Sequence, residues 1–401
     1  MRFATTLLAL AASTALAATA VAQQPIKVGL SGPFTGGSAS MGVSMRDGVK
    51  LAVGEINKAG GVLGRQIVLV ERDDEARNEL GVQIAQELIN KEQVAATLGY
   101  INTGVSLASQ RFYEEAEIPV LNNVATGTAI ATQFKAPEYK YNYIFRTSAN
   151  DAIQSGMIAE EAVARHGFKK PAILADSTNY GQLGREDLEK ALAARGVKPV
   201  AEEKFNIGDT DMTSQLLRAK QAGADVILTY AIGPELAQIA NGMAKLGWKL
   251  PMIGSWTLSM ATFIDNAGPN GDGALMPETF IQAPTTPKRT AFIAAYQAAY
   301  KVDRIPSPVS AAQGYDSVYL LAAAITQAKS TDGAKIRAAL ENLQTKVEGV
   351  VTTYDHPFTA TDHEAITANI PVFGVVKAGR VVVAHAEDLA GDKALRVKAK
   401  N

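Results

Sequence analysis

Cysteine is absent from all 401 residues. This excludes disulfides, thiolate metal sites, catalytic thiols and a lipidated cysteine, so stability must come from core burial. Histidine is scarce too. His166, His356, His363 and His385 are scattered without ligand spacing, and the His363-Glu364 pair is not followed by the second half of an H-E-x-x-H motif. These histidines read as surface loop residues, and no metal site is expected. Charge of one sign is also lacking: the formal net charge is −1, with no case for nucleic acid or an anionic membrane. No G-x-S-x-G elbow, phosphate-loop ending or G-x-G-x-x-G spacing occurs. Asp73-Asp74-Glu75 and Asp209-Thr210-Asp211 follow a strand and precede a helix, where carboxylates cap free amides or face solvent. No catalytic residues and no cofactor are expected. An exported hydrolase is disfavoured, because neither an activated nucleophile nor a paired acid is visible.

A long apolar run is missing after the N-terminus; residues 320–325 are the centre of an amphipathic helix. The N-terminus itself has Arg2, an apolar stretch at 7–18 and an Ala20-Val21-Ala22 cleavage pattern before Gln23. That stretch falls short of the ~20 residues a bilayer span needs. Residues 1–22 are expected to be a signal peptide, and the mature chain a soluble protein of a Gram-negative periplasm.

Hydrophobic residues make up 47% and charged residues 20% of the chain, an ordinary globular balance, and the length suggests about two domains. Ile26-Lys27-Val28-Gly29-Leu30 reads as a strand entering a Gly-rich loop at 31–37. Met45, Val49, Ala52, Val53 and Ile56 follow on one helix face, then Ile67-Val68-Leu69-Val70 as a second strand. This alternation continues to Arg146 and restarts with a helix near Asp151, giving two βα series and an α/β fold of two doubly wound parallel-sheet lobes. The helix-rich stretch 288–343 is expected to return to the first lobe, and Val372-Phe373-Gly374-Val375 with Val381-Val382-Val383 to supply late strands or a hairpin. The Gly-rich loop at 32–42 suits a tight turn where backbone nears a ligand or a facing domain.

Several ordered segments resemble the leucine/isoleucine/valine-binding family of type I periplasmic receptors of ABC importers. These are Ile26-Lys27-Val28-Gly29-Leu30-Ser31-Gly32-Pro33, Gly60-Gly61-Val62-Leu63-Gly64, Asp73-Asp74, Asn179-Tyr180-Gly181 and Gln313-Gly314-Tyr315-Asp316. The resemblance implies two lobes joined by three crossover strands, near residues 146–148, 275–280 and 350–354. Its N-terminal lobe would be 23–146 plus 276–352, and its C-terminal lobe 147–275 plus 353–401. Ligand would bind in the cleft, and closure would present the receptor to a membrane permease. Nothing demands an oligomer, so a monomer is expected.

Carried over by position, the resemblance implies Thr103 as the hydroxyl that meets a ligand carboxylate, with Asn102 beside it. Val124 and Thr126 lie in the segment after the fourth strand. Tyr180 is the aromatic that packs on the ligand, and Met41 sits near another lining position. On the second lobe, Trp256 stands where amino-acid receptors place an acid for the ligand ammonium. Ile232 replaces an aromatic, and Glu235 lies three residues beyond that contact. Asn102 replaces a cysteine that some members use in a disulfide. A buried ammonium without a counter-charge is strongly unfavourable. The expected ligand is therefore a small hydrophobic or aromatic carboxylate. The alternatives are a branched-chain amino acid of the Leu/Ile/Val set, or a soluble sensor that reports ligand to a partner.

Overall fold

A computed structural model describes residues 24–389 and 396–399. The expected signal peptide lies outside these residues. The first sheet holds five parallel strands: β1 (Ile26–Gly32), β2 (Ile67–Asp73), β3 (Ala96–Gly99), β4 (Val120–Asn122) and β5 (Ile144–Arg146). Their order is β2-β1-β3-β4-β5. The chain winds through α1 (Ala39–Lys58), α2 (Asn78–Asn90) and α3 (Thr103–Glu115), with α2 packed on α3. The first strand is buried at nearly every position, as a strand covered by helices on both faces must be.

The second series starts with α4 (Asp151–Ala159). It alternates β6 (Pro171–Asp176), α5 (Asn179–Ala193), β7 (Ala201–Phe205), α6 (Thr213–Gln221), β8 (Val226–Tyr230), α7 (Glu235–Lys245), β9 (Met252–Gly254), α8 (Ala261–Ala267) and β10 (Leu275–Glu278). The parallel order β7-β6-β8-β9-β10 repeats the winding of the first sheet. Next, α9 (Pro287–Tyr300), α10 (Pro308–Ala328) and α11 (Gly333–Glu341) form the helix-rich stretch, and α10 lies along α1 of the first lobe. Gly48 makes this approach possible, because a Cβ there would sit 2.1 Å from the Ala311 carbonyl oxygen. A small hairpin, β11 (Val347–Glu348) with β12 (Thr353–Tyr354), follows. The antiparallel pair β13 (Val372–Lys377) and β14 (Arg380–Val383) then extends the second sheet at β10.

Two expected boundaries shift. Met276–Glu278 belong to the second sheet, so the chain leaves the second lobe after β10 and not at 275/276. The last crossing also comes later than 352/353. Phe358 packs edge-on against Phe145, Arg146 bridges to Glu364, and the Ala365 amide donates to the Arg146 carbonyl. This segment stays on the β5 edge until about Ala365. The cause is Arg146, which is fully buried and has its guanidinium paired with the Glu364 carboxylate. A buried arginine requires such a partner, and the chain must remain to supply it.

His363 is likewise not a surface residue. It is buried, stacks on Phe145 with ring centroids 4.0 Å apart, and places its Nδ1 2.9 Å from the Ile144 carbonyl. Among the described residues no cluster of metal-ligating side chains occurs, and no helix is long and apolar enough to cross a membrane.

Candidate ligand site between the lobes

Strand ends build the first-lobe wall. After β3, Gly99 takes φ 136° and Tyr100 φ 61°, a left-handed bend that aims the chain into α3. A Cβ on Gly99 would lie 2.1 Å from the Ser31 carbonyl oxygen, so only glycine fits. Tyr100 holds the strained bend by full burial, edge-on to Tyr113 at 6.4 Å. The N-cap of α3 is Asn102, which makes no side-chain cap and instead donates through Nδ2 to Ser38 Oγ at 3.3 Å.

Thr103 therefore does not cap its helix. Its Oγ1 accepts the Gly127 amide at 3.2 Å, from the loop after β4. That acceptance leaves the hydroxyl proton free to donate. A Cβ on Gly127 would come within 2.3 Å of Thr103 Cγ2, so this glycine sets the distance between the two segments. The first amides of α3 lack a side-chain cap, so the wall presents amide donors and the positive end of a 13-residue helix beside one hydroxyl.

The second wall is aromatic and held by its own hydrogen bonds. Tyr180, in the first turn of α5, donates to Ser255 Oγ at 2.7 Å. Ser255 and Thr257 share a bond of 2.8 Å, and Thr257 donates to the Ala231 carbonyl. Tyr180 also lies 5.2 Å from the Tyr230 ring. Asp176 anchors the base: it accepts the amides of Thr178 at 2.9 Å and Ile232 at 3.0 Å. Burial nonetheless holds its carboxyl above the usual range. A Cβ on Gly181 would meet the Asp176 carbonyl at 2.3 Å, which explains the glycine in Asn179-Tyr180-Gly181.

The two walls meet. Thr128 donates to Asp187 at 2.6 Å across the lobes. Asn179 reaches toward Gly104, and Gly233 lies opposite the Gly37 carbonyl of the Gly-rich loop, so this loop does face the other lobe. Asp151, at the start of α4, donates its amide to the Thr126 carbonyl at 2.8 Å and accepts the Tyr230 hydroxyl at 2.9 Å. Full burial pushes its carboxyl up to about 7.

Two spaces remain. An outer cavity of about 300 Å³ is lined by Asn102, Thr103 and Tyr180, with Arg77, Glu79 and Asn179 at its sides. A deeper void of about 10 Å³ is lined by Thr126 and Trp256, with Ser148, Gln154, Thr279 and Gln313. They lie close together, since Gly127, the partner of Thr103, follows Thr126, and Ser255, the partner of Tyr180, precedes Trp256. Five of the eight sequence-expected residues thus reach the interlobe spaces. Val124, Ile232 and Met41 are buried nearby and line neither space. Gln313 and Gln154 were not singled out from sequence. Gln313 had appeared only within the Gln313-Gly314-Tyr315-Asp316 match.

Comparison with known proteins agrees with this construction. The periplasmic binding protein family model matches residues 25–380. A Leu/Ile/Val-binding protein homolog 2 from Brucella abortus is 30% identical over 62% of this chain and 66% of its own length, just under two thirds. The crystal structure of a type 1 periplasmic binding protein from Bordetella pertussis superimposes with a TM-score of 0.80 at 27% identity, covering 90% of this chain and 99% of that one. An ABC transporter solute-binding protein from R. palustris, solved in complex with benzoate, shares the fold at a TM-score of 0.76 and 23% identity, over 90% and 96% of the two chains. With its sheets, its cleft and these likenesses in agreement, the chain belongs to the periplasmic binding protein family, in the type I, Leu/Ile/Val-binding class of substrate receptors.

Proposed function

We propose that this chain is the periplasmic receptor of an ABC importer and captures a small aromatic or apolar carboxylate between its lobes. The observation that carries this reading is the lining of the deep void, whose ten residues include no carboxylate and have Trp256 on the second-lobe side. An α-ammonium drawn into that space would lose its hydration without gaining a counter-charge. A ligand carboxylate instead takes the Thr103 hydroxyl proton and the free amides of α3, where an anion also meets the positive helix end. The ligand body then lies against Tyr180 and Trp256. A protein of this fold solved with benzoate supports the same ligand class. Residues 1–22 serve export, and the shut lobes are the form a permease reads.

Amino-acid binding is the second reading. It draws on the Leu/Ile/Val-binding name of the Brucella relative and on Glu79, the carboxylate at the side of the outer cavity. Thermal melts of ligand-stripped protein with single compounds separate the two. A ligand at a hundred times its dissociation constant adds about 2.7 kcal/mol of stability. Aromatic and aliphatic keto or hydroxy acids are expected to raise the melting temperature more than leucine, isoleucine or valine. A shift with leucine alone overturns the carboxylate reading and leaves the receptor assignment standing.

A further inference from the structure

Two residues that line the deep void each carry a buried polar atom without a partner in the protein. Trp256 is fixed by its backbone amide, which donates to Gln154 Oε1 at 3.1 Å, yet its indole Nε1 has no protein partner. Gln313, on α10 of the first lobe, donates through Nε2 to Thr279 Oγ1 at 3.0 Å, which orients its amide and leaves Oε1 without a partner. The residues are 6% and 2% exposed, and both line the same void of about 10 Å³. A buried donor and a buried acceptor, each unpaired, would be costly if nothing met them.

The chemistry of the two atoms selects what meets them. An indole N–H only donates and an amide oxygen only accepts. A carboxylate oxygen accepts but does not donate, an ammonium donates but does not accept, and a methyl group does neither. A hydroxyl does both through one oxygen, and the void has room for about one oxygen atom. A primary amide has both functions but needs more space. The void also stands one residue along the wall from the Thr103–Gly127 contact, the place given above to the ligand carboxylate.

Resting on the carboxylate reading, we infer that Trp256 Nε1 and Gln313 Oε1 form a subsite for a hydroxyl on the ligand body. The substrate class is then hydroxy-substituted aromatic acids, in preference to the unsubstituted acid. The two lobes each contribute one of the atoms, so a ligand hydroxyl also ties α10 to the second-lobe wall and favours the shut form.

Calorimetric titration of the ligand-stripped mature chain with benzoate, 3-hydroxybenzoate and 4-hydroxybenzoate tests this. At least one hydroxy acid is expected to bind about ten-fold tighter than benzoate, the scale of one well-made buried hydrogen bond. Trp256→Phe keeps an aromatic ring and removes the N–H, and Gln313→Met keeps the approximate length and removes the acceptor. In each variant the hydroxy-acid-to-benzoate affinity ratio is expected to fall toward one, whatever happens to the two affinities separately. A melting curve confirms that each variant is folded. Equal affinities in the wild type, or an unchanged ratio in both variants, would mean that the void holds only water and would overturn the subsite while leaving the carboxylate reading intact. Binding of leucine with none of the three aromatic acids would overturn the carboxylate reading itself, and the subsite with it.

Discussion

The two lobes share one winding and differ in what they show the cleft. Each runs its parallel strands in the order 2-1-3-4-5, counted within the lobe, so the same strand ends face the same space. The first lobe offers the uncapped start of α3, the Thr103 hydroxyl and backbone around Gly127. The second offers the rings of Tyr180, held by a relay of hydroxyls through Ser255 and Thr257, and of Trp256, held by its amide on Gln154. Under the proposed function one architecture divides the work: the first wall would meet an anionic group, and the second would read the shape and substituents of an uncharged body.

The division breaks most visibly at Trp256. Trp256→Ala is expected to destabilise the protein by about 3–5 kcal/mol, the usual loss for a buried large aromatic. It should also reduce the affinity of aromatic acids far more than that of short aliphatic ones. Titrations with benzoate and a branched keto acid check this; equal losses for both would deny the second lobe its role in reading shape.

Thr103→Ala probes the other wall. It is expected to weaken every carboxylate ligand alike, by about 1–3 kcal/mol, through the loss of a charge-assisted hydrogen bond. The fold weakens less, since the main casualty is the Gly127 amide left without its acceptor. Thr103→Ser should restore most of the affinity. A loss confined to aromatic acids would blur the comparison between lobes.

Tyr180→Phe sharpens it. The ring stays and the bond to Ser255 goes, so denaturant melts should show about 1 kcal/mol of lost stability with a small change in affinity.

The smallest effect on binding is expected from pH, because none of the shifted acids lines either interlobe space. Burial raises Asp74 and Asp316 to about 6 and Glu114 and Asp151 to about 7. A raised carboxyl binds its proton more tightly folded than unfolded. Its stabilising contribution is therefore full below pH ~4 and falls away as pH rises through the folded value. The melting temperature contributed by these groups should decline between pH ~4 and ~7, and Asp151→Asn should flatten the upper part of that decline. Three of the four belong to elements of the first lobe or the helices packed on it, so hydrogen exchange there should accelerate first with pH.

Much of this was legible in the sequence because each βα unit repeats a local pattern. Burial on both faces makes β1 a continuous apolar run, and the spacing from Met45 to Ile56 marks the buried face of α1. Missing from that reading were β7, an edge strand that alternates half-buried and exposed positions before the buried Phe205, and the short α8. The last lobe boundary moved because Glu364 must stay beside Arg146, a pairing across 218 residues that no local pattern announces. The same limit applies to the site. Thr103 and Trp256 were singled out by position in a resemblance, but the bond from Gly127 to Thr103 and the void that Gln313 shares with Trp256 exist only once the chain is folded. His363 looked like a surface residue because a lone histidine carries no sign of the ring it will stack on.

Arg146 has a consequence for how such a receptor diversifies. Its guanidinium grips the Glu364 carboxylate and also donates to the Gly127 carbonyl at 2.6 Å, the glycine whose amide meets Thr103. A substitution that displaces the loop after β4 would be felt at the linker, and one that displaces the linker would be felt in the cleft. The loops carrying Ile232 and Trp256 are held separately, by Asp176 and by the Ser255–Thr257 pair. Lineages that acquire new nutrients should therefore accumulate their changes on the second wall, and keep the first wall as inherited plumbing.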